Sequence, residues 1–348
     1  MAFTTISKHT DYFNTVLYTG NGSTQSITGV GHQPDFTWIK NRSTTHDHIL
    51  TDVVRGVTKD LRSNNTDAEA TDSNGLTAFG TDGFTVGSKA NINNSGSKIV
   101  SWNWKAGNSQ GSSNTDGSIN TTYTSVNTTA GFSISTYTGT GSNATVGHGL
   151  GVAPKMIIIK NLSDSSGHWR VYHASVGNTK YLDFDNTGAA ITSSIVFNNT
   201  TPTNTVFSIG SDSRANGNGN NMVAYCFAEK TGYSKFGSYT GTGSDGRTFV
   251  YTGFRPEFVI VKRYNNTEEW QMTDAARDKD VSPNFARLKV DNSTAESTNT
   301  TWAKIEKFSN GFRLGGTDTV TNGSGDSYIY MAFGQSLVGS NNVPCTAR

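Results

Sequence analysis

Two pairs of opposite charge recur in the sequence at a spacing that could do chemistry: Asp52 with Arg55, and Asp274 with Arg277. On a helical turn, an i, i+3 spacing brings such side chains together. The pair then recognises a carboxylate or a sugar, or it is a structural ion pair that fixes a loop. At the matching place in the middle of the chain stands His173. A second set is aromatic: His48, His168-Trp169 and Trp270 each follow a similar apolar stretch. Exposed indoles beside polar groups suit stacking on the C–H faces of sugar rings, whereas buried ones would fill a repeated space in a core. His46-x-His48 places two imidazoles on one face of a strand. No cysteine or carboxylate cluster completes that ligand set, so it reads as a solvated loop, and no metal or other cofactor is expected.

Motifs for catalysis are missing from the string. It has no nucleophile elbow, no HExxH, no phosphate loop and no repeated carboxylate pair of the glycosidase kind. Glu268-Glu269 is an isolated pair in a polar stretch. The glycine runs lie where hairpin turns are expected, not between a strand and a helix, which removes the context for phosphate binding. The expectation is a protein that is not an enzyme, with no catalytic residues. Its candidate ligand-binding residues are His48, Trp169, Trp270, Asp274 and Arg277.

These residues are positioned by an element that the chain carries three times. LYTGNGSTQSITGVGHQPDFTWIK, TYTGTGSNATVGHGLGVAPKMIIIK and SYTGTGSDGRTFVYTGFRPEFVIVK each run from a Tyr-Thr-Gly-x-Gly turn through a proline to an apolar strand ending in lysine. Pro34 and Lys40, Pro154 and Lys160, and Pro256 and Lys262 keep the same spacing. The landmark returns at about domain length, which indicates tandem domains rather than a solenoid. Later parts align too: Leu61 to Asn65, Leu182 to Asn186 and Leu288 to Asn292, then the closing strings VSWNW, VAYCF and IYMAF. An Asn/Gly stretch precedes each closing string and reads as the tip of a hairpin from the preceding Phe strand. Within the closing strings, Trp102, Tyr225 and Tyr330, with Trp104, Phe227 and Phe333, read as core anchors.

The chain has 348 residues, of which 16% are charged, and a formal net charge of +1. That balance leaves no footprint for nucleic acid and no basic helix for a membrane surface. Thirty-eight glycines among many Thr, Ser and Asn, with 18 Phe, 13 Tyr and 6 Trp, suit short strands joined by turns. The two cysteines, Cys226 and Cys345, read as free thiols rather than a disulfide framework. No apolar run reaches membrane-spanning length, and the opening residues lack the pattern of an export signal. The expected fold is all-β: three tandem β-sandwich, jelly-roll-like domains over residues 1–107, 108–236 and 237–348. The first includes a lead-in strand, the second a linker and the hairpin SINTTYTSV/GFSISTYT, and the third a C-terminal tail.

Taken together, the three Tyr-Thr-Gly strings with DVVRG, SWNWKAG, AYCFAEKTGYSKFGSYTG and IYMAFGQ resemble repeats in structural proteins of tailed phages, especially those of marine hosts and cyanobacteria. The resemblance covers about Tyr12 to Val343. It implies a virion protein assembled in the bacterial host cytoplasm, partnered by other tail or capsid proteins. A tail fibre or receptor-binding module would contact the host surface, with host surface glycan as a ligand, and would be a homo-oligomer, as a fibre a trimer. The string has no collagen-like or coiled-coil shaft, so the alternative is a compact decoration protein on the capsid.

Overall fold

The computed structural model describes residues 4–278, 285–299 and 303–337; Cys345 lies outside them. Almost all of its regular structure is β, and every strand pairing is antiparallel apart from one isolated bridge between Ile119 and Val146. The first repeat comprises β1 (Phe13–Thr19), β2 (Gln25–Thr28), β3 (Phe36–Asn41), β4 (Ile49–Asp52), β5 (Lys59–Asp60), β6 (Ala70–Thr71), β7 (Leu76–Gly80), β8 (Gly83–Val86) and β9 (Lys98–Trp104). The second comprises β10 (Tyr123–Asn127), β11 (Phe132–Thr138), β12 (Ala144–Gly147), β13 (Met156–Asn161), β14 (Arg170–His173), β15 (Lys180–Asp183), β16 (Ile191–Thr192), β17 (Val206–Ile209) and β18 (Asn221–Phe227). In the third lie β19 (Ser234–Thr240), β20 (Thr248–Tyr251), β21 (Arg255–Arg263), β22 (Gln271–Asp274), β23 (Phe285–Lys289), β24 (Ser297–Asn299), β25 (Lys304–Phe308), β26 (Gly311–Gly315) and β27 (Ser327–Gln335).

Each repeat builds a large sheet on the same plan. The opening strand pairs with the closing strand, the closing strand with the proline strand, and the proline strand with the one that follows it: β1-β9-β3-β4, β11-β18-β13-β14 and β19-β27-β21-β22. The proline–lysine anchors hold one register, for Lys40 faces Val100, Lys160 faces Val223 and Lys262 faces Ile329 across the ladder. Pro256 sits at a bulge just before Phe258, where its missing N–H breaks no ladder bond. The expected hairpin of residues 123–138 is present as β10-β11.

A second, smaller sheet covers the outer face of each large one: β2-β8-β7, β12-β17 and β20-β26-β25. Here one expectation is corrected. The Phe strands β8 and β17 do not form hairpins with the closing strands; they pair with β2 and β12 in the small sheets. Short helices, α1 (Ala90–Asn93) and α3 (Ser213–Asn216), lie in the crossover back to the large sheet in the first two repeats, while α2 (Ser194–Phe197) packs beside β17. The Asn/Gly turns serve instead as a clasp for the Tyr-Thr-Gly motif. Tyr18, Tyr137 and Tyr239 each donate a hydroxyl, at 2.7 Å, to the carbonyls of Ile92, Ala215 and Thr321. The following asparagines, Asn93, Asn216 and Asn322, are buried. Their carbonyls accept from the backbone N–H groups of Gly22, Gly141 and Gly243. The motif's first glycine is required by closeness: a Cβ on Gly20, Gly139 or Gly241 would lie 2.2–2.3 Å from a carbonyl oxygen of the turn.

Both faces of the closing strands are therefore covered. In β9, Ile99 packs toward the small sheet, and Val100, Trp102 and Trp104 point the other way. Met222, Ala224 and Cys226 alternate in the same manner with Val223, Tyr225 and Phe227. In β27, Tyr330 faces the small sheet, so the residue in the place of Trp102 and Tyr225 is Met331. The inner faces of the three large sheets meet in one shared core. Phe333 touches Phe13, Trp104, Phe227, Tyr233 and Phe236, with ring centroids 5.4–6.1 Å apart, and so joins residues from all three repeats. Each unit keeps a core of its own between its two sheets, and the three share this central one as well, closing on each other as a ring.

Candidate functional site

The residues expected to bind a ligand lie on the seams of this ring, and they make the same hydrogen bond three times. His48, immediately before β4, sends Nε2 to the carbonyl of Lys289, 2.8 Å away in the third repeat. The Trp169 indole donates to the carbonyl of Arg62 in the first repeat, and that of Trp270 to Asp183 in the second, each at 2.9 Å. Arg62, Asp183 and Lys289 occupy one position in the aligned Leu-to-Asn segments. Each repeat therefore reaches into its predecessor, and the third closes the circle through the first.

This corrects the expectation of exposed rings. His48 and Trp169 are 0% exposed and Trp270 1%, so no sugar can stack on them. The physical reason is that strand alternation sets the side of the sheet a ring takes but not what covers that side. His48 is also fixed in one tautomer. Its Nδ1 accepts from Trp38 Nε1 at 2.8 Å, which leaves Nε2 to carry the proton it donates. Burial holds its pKa well below the usual histidine value, with the nearby Lys40 charge acting the same way. His46, read together with it as part of a solvated loop, is half-buried and donates its backbone N–H to the carbonyl of Ser293. Among the described residues, no three His, Cys, Asp or Glu side chains cluster as a metal site.

The Asp-x-x-Arg pairs are seam residues as well. Arg277 Nε lies 2.5 Å from Asp274 Oδ2, with both side chains 0% exposed, and that same oxygen accepts Trp102 Nε1 from the first repeat at 2.9 Å. The first repeat copies the arrangement: Asp52 Oδ2 takes Arg55 Nε at 2.5 Å and the Tyr225 hydroxyl of the second repeat at 2.7 Å. In the second, His173 occupies the carboxylate's place and bonds the Tyr330 carbonyl of the third at 3.2 Å. Burial is the largest single influence and would lower the pKa of Arg277, but the charges of Asp274 and Glu296 and their hydrogen bonds together outweigh it and the shift is upward. The pairs are structural, with no face open to a carboxylate or a sugar.

A third layer went unread in the sequence, although its residues served as alignment anchors. Lys40, Lys160 and Lys262 are fully buried. Their ammonium groups donate to the carbonyls of Ser293 at 3.1 Å, Thr66 at 2.8 Å and Thr187 at 2.8 Å, each in the preceding repeat and each just after the aligned asparagine. Burial lowers all three pKa values to about 8. Beside them the chains exchange backbone bonds: Glu296 to Arg42, Glu69 to Leu162 and Ala190 to Tyr264. A buried Arg170, held by Asp183 and by Asp212 at 3.1 Å, was also missed, since nothing in the other repeats matches it. The centre of the ring offers no pocket. Its cavity, lined by Phe36, Trp38, Trp169, Tyr225 and Phe227 among others, is wholly apolar and about 10 Å³, the size of one water.

One family model matches residues 8–336, the span of the whole closed ring, from just before its first strand to just after its last. The chain belongs to that family, described as a domain of unknown function, DUF7483. A search of curated proteins finds no match to it. The DUF7483 match treats the three repeats as one unit, in keeping with seams that bury charge, indole and lysine between them.

Proposed function

We propose that the chain is a non-enzymatic structural component of a tailed-phage virion: a compact receptor-binding head of the tail that contacts the host surface. The observation that carries this reading is the ring closure. The charged and aromatic residues best suited to chemistry in the sequence are spent on holding three repeats together, which leaves a rigid body whose outer faces and loops are available for contact. The resemblance of the repeated strings to tail-fibre-like proteins supports the same role. One chain also supplies a threefold arrangement of its own, so association between copies would use the outer faces and leave the buried seams intact. Weak contacts on several copies per virion would then add through avidity.

The test is position and copy number. Quantitative mass spectrometry of purified virions should find few copies relative to the major capsid protein, and immunogold should label the tail. The folded protein should bind host cells without releasing soluble sugar from them. Capsid-like copy number with labelling of the head would replace the tail reading by a decoration protein.

A further inference from the structure

The small sheets differ most on their outward faces. In β20 the order Thr-Phe-Val-Tyr puts Thr248 and Val250 inward and leaves Phe249 47% and Tyr251 57% exposed. The matching residues of the other repeats are Ser26 and Thr28, and Thr145 and Gly147, all without rings. Larger apolar groups outside than inside are the reverse of what core packing asks of a strand. They are not scattered either. Phe249 meets Phe308 of β25 at 6.1 Å and 63° and covers Gly311, where a Cβ would lie 2.8 Å from the Phe249 ring. Arg313 faces Phe249 across the ladder; its guanidinium lies 5.1 Å from the Phe308 ring and its Nε 2.5 Å from Glu306. Lys235 lies 5.3 Å from the Tyr251 ring.

Resting on the reading of a host-surface head, we infer that this face is a glycan-binding shelf, with Phe249 and Tyr251 stacking on sugar C–H faces and the Arg313–Glu306 pair meeting hydroxyls. A sugar hydroxyl both donates and accepts, so it needs an arginine and a carboxylate on one floor. A phosphate chain needs only donors, and Glu306, which holds the Arg313 guanidinium, would compete with it for that donor. The rings sit on strands held by paired ladders on one side and packed on the third core on the other, so the shelf is formed before any ligand arrives.

The experiment is affinity electrophoresis of the full chain in gels containing dextran, laminarin, alginate, xanthan or polysaccharide extracted from the host envelope. The variant is Phe249→Ser with Tyr251→Thr, which installs the residues of the first repeat; a melting curve like the wild type's shows that it folds. At least one polysaccharide should retard the wild type, and the variant should bind it about tenfold more weakly or worse. Equal retardation of both proteins would place the glycan site elsewhere. Free migration of the wild type in every gel would overturn the glycan assignment. Binding of a thymidine oligonucleotide that vanishes with added salt, in place of polysaccharide binding, would give the shelf to nucleic acid. The cell-binding assay separates this proposal from the reading beneath it. Wild type and variant binding cells alike would sink only the shelf, while a folded wild type that binds no cells would sink the host-surface role.

Discussion

Asp274→Asn tests whether the ring is one cooperative body. Asp274 Oδ2 accepts both Arg277 Nε and Trp102 Nε1, and its Oδ1 accepts the Arg277 backbone N–H at 2.8 Å. An asparagine offers one oxygen and one NH₂, so either orientation sets a donor against at least one donor. It also removes the charge beside a guanidinium that is 0% exposed, leaving Glu296, 3.0 Å from Nη1, as the remaining carboxylate. Removing one partner of a buried pair typically costs about 3–5 kcal/mol. Urea unfolding should show that loss with an unchanged slope. Because Trp102 belongs to the first repeat and Asp274 to the third, fluorescence and far-UV circular dichroism should report one shared midpoint. Adding Arg277→Met, which removes the stranded charge, should recover part of the loss. A loss under about 1 kcal/mol would show the pair to be screened like a surface bridge. Two transitions, with only one shifted, would show that the seam does not couple the repeats.

Phe333→Ala should cost about 3–5 kcal/mol through the cavity it opens among rings of all three repeats; an unchanged melting curve would remove Phe333 from the shared core. The buried lysines predict an alkaline response. Their folded pKa, about 8, lies below the ordinary value of 10.5, so between those limits the unfolded chain holds more protons. Stability then rises with pH across that window, by roughly 1.4 kcal/mol per pH unit for each lysine. Deprotonation leaves each amine two N–H donors for its two carbonyls. Cys226 opposes this, since burial raises its pKa and the unfolded thiol ionises first; the buried tyrosines, Tyr225 among them, do so from about pH 10. Urea midpoints at pH 7.5 and 9.5 should therefore rise, and Lys160→Met should flatten the trend. A midpoint that falls over that interval in the wild type, with no change of slope in the variant, would refute the lysine account.

Much of the fold was legible in the string. Period-two alternation in VSWNW, VAYCF and IYMAF gave strands. The fixed step from proline to lysine gave one register to three central strands, whereas the Asn/Gly turns, read as hairpin tips, clasp the repeated tyrosine. The pairing of the Phe strands was misread because adjacency in sequence favours a hairpin, while sandwich packing sends successive strands to different sheets. The site was less legible for a related reason. His48, Trp169 and Trp270 were correctly grouped as equivalents, yet equivalence does not distinguish a repeated surface from a repeated seam.

What the sequence alone determined is the set of local choices: strands, turns, threefold repetition and the residues that share each face. Those follow from backbone sterics and a period of two, which act over a few residues. Only the tertiary structure decided which faces are covered. Ser101 and Asn103 alternate with tryptophans as though exposed, but they are buried because a second sheet lies over them. Lys40, Lys160 and Lys262 are buried because a neighbouring repeat supplies carbonyls for each ammonium, whereas Phe249 and Tyr251 remain outside because, among the described residues, no further sheet is laid over their face of β20. Burial depends on contacts between residues far apart in the chain, and no local pattern carries that information.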